Sequence, residues 1–186
     1  MRTLTYLAFL LFLSSVNAQV VDQSINGVQT GFLGIWLNNE SRIAPNWAFR
    51  SEIGLEATLL TGLTDGEVEY PVFVPIVSFE PRWYYNSPKR QGNTKNTFHN
   101  SSNYLTVAIR WYPEFWAISP HTIDEIDGAV FIVPTWGIRR NISFRWNYEV
   151  GIGMGVDVYE LLFSEVNTTD VNFNLHVRIG YKFGKL

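Results

Sequence analysis

The segment VNFNLHVRIGYKF, Val171 to Phe183, constrains this chain more than any other. Its odd positions are Val171, Phe173, Leu175, Val177, Ile179, Tyr181 and Phe183, and its even positions are Asn172, Asn174, His176, Arg178, Gly180 and Lys182. A strict period of two belongs to a β-strand that presents one face to an apolar medium and the other to a polar one. Thirteen residues of it is long against a usual strand of about 5–6 residues.

The same period recurs along most of the chain. It marks strands over Phe49–Leu59, Phe73–Tyr85, Leu105–Phe115, Val130–Ile138 and Asn141–Tyr159, and Val28–Asn38 reads as a further strand whose faces are ambiguous. That makes seven with Val171–Phe183. An eighth fits in Gln19–Ile25, a piece short for a full crossing, with Asn26-Gly27 as its hairpin turn; otherwise one of the long segments conceals a turn. No helical period follows residue 18 and no internal repeat is visible. The fold class is therefore all-β, an antiparallel up-and-down barrel of about eight strands, the seven long ones reaching the roughly 9–11 residues that a tilted strand needs to cross a bilayer.

The opening stretch MRTLTYLAFLLFLSSVNA has a basic Arg2, an apolar run from Leu4 to Leu13, and small or short residues, Val16 and Ala18, before a cleavage point. It reads as a signal peptide over 1–18, leaving a barrel domain over 19–186. The apolar run is too short for the ~20 residues of a helical span. The chain has no cysteine, which points to a bacterial exported protein rather than a disulfide-stapled secreted one. Removing 1–18 takes one of the 14 basic residues and none of the 17 acidic ones, so the net charge becomes −4, which excludes a nucleic-acid footprint.

Two arrangements fit the alternation: a soluble barrel with apolar residues inside, or a membrane barrel with apolar residues outside. The second is favoured by the polar faces, which carry Gly54, Gly137, Gly151, Gly153, Gly155 and Gly180. Glycine gains nothing on a solvated strand face, but makes room in a crowded lumen. The polar face then becomes a lumen network of Arg50, Glu52, Glu56, Glu80, Arg82, Arg110, Glu114, Arg139, Arg145, Glu149, Asp157, His176, Arg178 and Lys182. Near-balanced charge suits a barrel plugged by its own side chains, because buried charges must pair. Trp36, Trp47, Trp83, Tyr85, Trp136, Trp146, Tyr181 and Phe183 collect at one set of strand ends, as an interfacial girdle does. Pro75, Pro81, Pro113 and Pro134 fall inside strands and are expected at bulges or rims.

Several stretches resemble small outer-membrane β-barrel proteins of Bacteroidota, of OmpA/OmpX-like eight-stranded architecture and uncharacterised function: GVQTGFLGIW (27–36), RSEIGLEA (50–57), FEPRWYYN (79–86), PTWGIRRNI (134–142), YEVGIGMG (148–155) and LHVRIGYKF (175–183). The resemblance implies a bacterial outer-membrane location, membrane lipid as surroundings, and the outer-membrane insertion machinery as a partner reading the last strand. It implies no reaction. The expected role is structural or surface-interacting, through the loops Asp65–Tyr70, Ala117–Gly128 and Phe163–Asp170, with an unspecified surface ligand; a narrow pore for small solutes is the alternative.

One constellation resembles an enzyme. FHNSSN (98–103) holds His99 and Ser101 two apart, with Glu114 downstream, loosely similar to outer-membrane lipid A deacylases. A serine nucleophile needs a base and the base a carboxylate, yet Glu114 has the opposite parity, and the flanks NSPKRQGNTKNT and SSN read as a mobile polar loop with a solvated histidine. A lipid A-modifying activity is thus a minor expectation. His176 stands among Asn172, Asn174 and Arg178, and the other histidines, His99 and His121, fall in loops, so no metal and no cofactor is expected. No glycine-rich phosphate loop is present.

Overall fold

The computed structural model describes residues 21–22, 24–32, 34–60, 70–114, 118, 128–158 and 171–183. Segment 1–18, read from the sequence as a signal peptide, His121 and nearly all of the three proposed surface loops lie outside the described residues. Eight strands follow one another: β1 (Ser24–Gly31), β2 (Gly34–Ala44), β3 (Trp47–Leu60), β4 (Tyr70–Trp83), β5 (Asn103–Tyr112), β6 (Ala129–Asn141), β7 (Trp146–Asp157) and β8 (Val171–Phe183). Each pairs antiparallel with the next, and β1 pairs with β8, so the sheet closes into a barrel without an edge. The closing seam runs from Asn26↔Phe183 to Gly31↔Arg178.

The missing eighth strand lay inside the ambiguous segment. Val28–Asn38 is not one strand: the chain reverses at residues 32–33, between the paired Gly31 and Gly34. Asn26-Gly27 is not the turn but part of β1, paired with Asn39 and Asn38. A two-residue reversal flanked by glycines is a tight hairpin, and its reset of parity is what blurred the faces.

The alternation maps onto the barrel wall. On β8, Leu175 is 62% exposed and Arg178 only 2%. The prolines fall where a donor is not required. β4 pairs with β5 only from Val77 to Trp83, so Pro75 lies where β4 has β3 alone as its ladder partner. Pro81 and Pro134 sit in unpaired stretches of the β4–β5 and β6–β7 ladders, and Pro113 lies just past the end of β5. Proline has no N–H to donate, so these are the places a sheet tolerates it.

The two rims differ. The rim carrying the start of β1 and the end of β8 also holds the β2–β3 turn at residues 45–46, the β6–β7 turn at 142–145 and the β4–β5 connection at 84–102. That last connection is not a mobile loop. It contains a short helix α1 (Ser87–Gly92) and a 3-10 turn (Phe98–Asn100), and it buries Ser87, His99, Asn100, Ser101 and Ser102. Val21, Ala48, Tyr84 and Tyr104 form a small apolar cluster beneath it. The barrel is capped at this end.

The charged interior and the capped rim

The interior is built from carboxylates that each hold several arginines. Glu149 on β7 accepts from Arg82 Nη2 at 2.9 Å, Arg139 Nη2 at 2.7 Å and the Tyr104 hydroxyl at 2.7 Å. Glu40 on β2 accepts from Arg139 Nη1 at 2.8 Å and from the Tyr84 hydroxyl at 2.7 Å, with Arg50 at 3.6 Å and Arg82 at 3.8 Å. Burial pushes the Tyr84 phenol well above its usual range, so it remains a donor to Glu40. Glu52 pairs with its strand neighbour Arg50 and, across the lumen, with Arg178 at 3.0 Å. Glu80 holds Arg82 at 2.6 Å. Gln29 links Arg50 to Glu149. Arg50 and Glu149 are both 0% exposed.

Towards the opposite rim the network thins. Arg110 faces Glu56 at 3.6 Å, and Tyr112 donates to Glu56 at 3.3 Å. Lys182, near the capped rim, donates to Asn141 at 2.6 Å. His176 lies 3.7 Å from Glu149 and within 3.4 Å of the Tyr104 hydroxyl. Asp157 is buried at the end of β7.

Two proposed network members are not in the lumen. Arg145 is exposed in the β6–β7 turn, where it donates to the Tyr181 hydroxyl at 3.1 Å, because the strand expected from Asn141 is interrupted by that turn. Glu114 is exposed beyond the end of β5. Glu40 takes its place, and was missed because the faces of β2 were not assigned. The balance then becomes even: Arg50, Arg82, Arg110, Arg139, Arg178 and Lys182 against Glu40, Glu52, Glu56, Glu80, Glu149 and Asp157.

The aromatics divide similarly. Trp47, Trp83 and Trp136 face outward in one row, since Trp47 pairs with Trp83, Trp83 with Leu105, and Leu105 with Trp136. Trp146 meets Tyr181 edge-on at 5.2 Å, and Phe183 and the half-buried Tyr85 lie in the same half of the barrel. Trp36 is the exception. It points inward, 2% exposed, under the Arg178 guanidinium, which stands 3.8 Å from its ring centre. Gly54 makes this possible: a Cβ there would come within 2.7 Å of the Trp36 ring.

His99, Ser101 and Glu114 do not assemble. His99 is 3% exposed rather than solvated, and its Nδ1 lies 2.6 Å from the Asp22 carboxylate. Among the described residues, no hydrogen bond joins it to Ser101. Glu114 lies beyond the far end of the ten-residue β5, which separates the two rims by roughly 30 Å at about 3.4 Å per residue. The backbone explains the histidine's place: His99 and Asn100 have φ of 50° and 60°, both in the left-handed region. Such residues cost of order 1–3 kcal/mol each. The return is that the Asn100 side chain reaches down to Glu40 while its Oδ1 accepts the Asp22 N–H at 3.0 Å. His99 is a tether of the cap.

Among the described residues there is no cluster of three or more potential ligands placed to hold a metal ion. The class defined by fold and site is an eight-stranded, closed antiparallel β-barrel with paired charges inside and apolar side chains outside, an architecture consistent with the OmpA/OmpX-like expectation. Set against family models, curated proteins and solved structures, the chain has no significant match.

Proposed function

We propose that this protein is an integral β-barrel of a bacterial outer membrane, exported through a cleaved signal peptide. Its lumen is closed by its own side chains, and its role is structural or surface-interacting. One observation carries the reading, the inverted burial: arginines and glutamates are inside, while isoleucine, leucine, phenylalanine and tryptophan cover the outer wall. A water-soluble barrel needs the opposite, because exposed apolar area on this scale drives association.

Dimensions agree. The thirteen residues of β8 span about 40 Å, which at a 35–45° tilt projects to roughly 30 Å, enough for an outward apolar band ~25 Å tall. Outer-membrane barrels have short periplasmic turns and longer outer loops. On that pattern the capped rim, with its two short turns, faces the periplasm, although its 84–102 connection is longer than the turns usual on that side. The connections at 61–69, 113–128 and 158–170 then face outward and offer the surface for an external ligand. The closed Arg–Glu network speaks against the pore alternative, and the separation of His99 from Glu114 speaks against the lipid A enzyme.

The test is extraction of the mature chain from membranes in mild detergent, followed by electrophoresis with and without boiling. Membrane retention together with a boiling-dependent mobility shift supports the reading. Solubility in plain buffer without a shift overturns it.

A further inference from the structure

The outer wall carries a groove where β4, β5 and β6 lie side by side. Trp47, Trp83 and Trp136 frame it, Pro81, Val107 and Pro134 form its floor, and its volume is about 520 Å3. The sequence accounts for the dip. Val107 pairs with Pro134, and Pro81 falls in the unpaired stretch between Phe79↔Ile109 and Arg82↔Thr106. Compact proline rings, each unpaired on one side of its strand, lie between bulky indoles, so the surface sinks.

Towards the capped rim the groove meets a polar shelf. Trp136 Nε1 donates to Tyr85 Oη at 2.9 Å, and Asn103 Nδ2 donates to the same oxygen at 3.3 Å. Arg140 Nη2 donates to Asn103 Oδ1 at 2.6 Å, and its Nη1 to the Arg139 carbonyl at 2.6 Å. Tyr85 therefore accepts twice, and among the described residues its own proton has no acceptor. Asn103 is two residues from Leu105, the partner of Trp136, so the residue that holds the Arg140 guanidinium lies about 7 Å along β5 from the groove's end.

The charge on this shelf differs from that of the interior. Each interior arginine is ion-paired. Arg140 and Arg90 are held only by neutral oxygens, those of Arg90 being the Ser101 and Asn96 carbonyls at 3.1 and 3.0 Å. The titratable groups that act most on Arg140 are Arg90, Tyr148 and Tyr85, with no carboxylate among them. The same cap segment adds exposed Lys89 and Lys95 and contains no acid. Arg140 and Arg90 thus stand without a carboxylate partner, among the described residues, beside the polar shelf at the end of an apolar groove.

We propose that this is the site of one anionic glycerophospholipid. Its phosphate lies between Arg140, Arg90 and the Tyr85 hydroxyl, and an acyl chain runs along Pro81, Val107 and Pro134. The guanidinium forks suit phosphate oxygens, and basic pockets beside an apolar wall are the form that lipid-headgroup recognition takes. The assignment rests on the membrane reading above.

The test is native mass spectrometry of the folded, full mature protein in detergent, offered equal amounts of phosphatidylglycerol and phosphatidylcholine. Each sample's unboiled gel mobility and membrane retention are recorded alongside. The expected result is one retained phosphatidylglycerol, preferred by roughly fivefold or more, the contribution of one basic side chain facing an anionic lipid. In the double variant R90Q/R140Q the preference falls to parity, and in R145Q, a rim cation outside the site, it persists. V107W, which fills the floor and leaves the arginines intact, loses the retained lipid. Equal retention of both lipids by the wild type, an undiminished preference in R90Q/R140Q, or displacement by equimolar inorganic phosphate overturns the proposal. If that happens in a protein that is retained in membranes and shifts on boiling, this inference falls alone. A protein with neither property takes the membrane reading down as well.

Discussion

At the residue scale the interior depends on a few carboxylates that each hold more than one guanidinium. Glu149 serves Arg82, Arg139 and Tyr104, so Glu149→Gln removes one carboxylate from two buried cations at once, leaving Arg82 to Glu80 and Arg139 to Glu40. Breaking a buried pair by removing one partner costs about 3–5 kcal/mol. The expected result is a matching drop in urea stability, read as loss of the fast-migrating unboiled band. Glu114→Gln, at an exposed position, is expected to stay within about 0.5 kcal/mol of wild type in the same titration. Trp36→Ala empties a buried site beneath Arg178, and its cost is expected at about 3–5 kcal/mol, the range for large aromatic truncations. Trp146→Ala, half-exposed on the outer wall, is expected to cost less.

At the scale of elements, strand pairing and lumen packing are coupled through glycine. A Cβ at Gly137 on β6 would lie 2.3 Å from the Tyr104 ring on β5, and the two residues are register partners. Gly137→Val is therefore expected to abolish the mobility-shifted form, and adding Tyr104→Ala to restore a measurable fraction of it. The cap is a separate element, tied down by Asn100 to Glu40 and by Asp22 to His99. Cutting the first tie with Asn100→Ala is expected to speed tryptic cleavage at Lys89, Arg90 or Lys95 several-fold while the barrel bands remain. A cleavage rate equal to wild type would show that the cap holds by packing alone.

Across the whole molecule the even balance of six buried cations and six acids matters more than any one pair. A lumen filled and neutralised by its own side chains leaves no single-sign field to draw ions through. The expected outcome in planar bilayers is no discrete conductance from protein verified as folded by its gel shift. Reproducible single-channel steps would restore the pore alternative. The asymmetry of the rims belongs to this scale too: one end carries the folded 84–102 cap with two short turns, and the other the connections at 61–69, 113–128 and 158–170.

The sequence by itself determined the barrel class, the length of its strands and most inward positions, because a period of two reports a face directly and a one-residue slip would invert it. VNFNLHVRIGYKF predicts its strand to both ends, Val171 and Phe183. What alternation cannot carry is where that parity is reset. The reversal at 32–33 hid a strand, sent Trp36 inward and kept Glu40 out of view; the turn at 142–145 put Arg145 on the surface. Nor does it say which charges meet. Arg139 finds Glu40 and Arg178 finds Glu52 across 99 and 126 residues of chain. Those encounters are set by the register at which eight strands close on themselves. A polar, lysine-rich stretch likewise gives no sign that it will bury His99 and Asn100, since its hydrogen-bond partners exist only once the barrel's end is there to be capped.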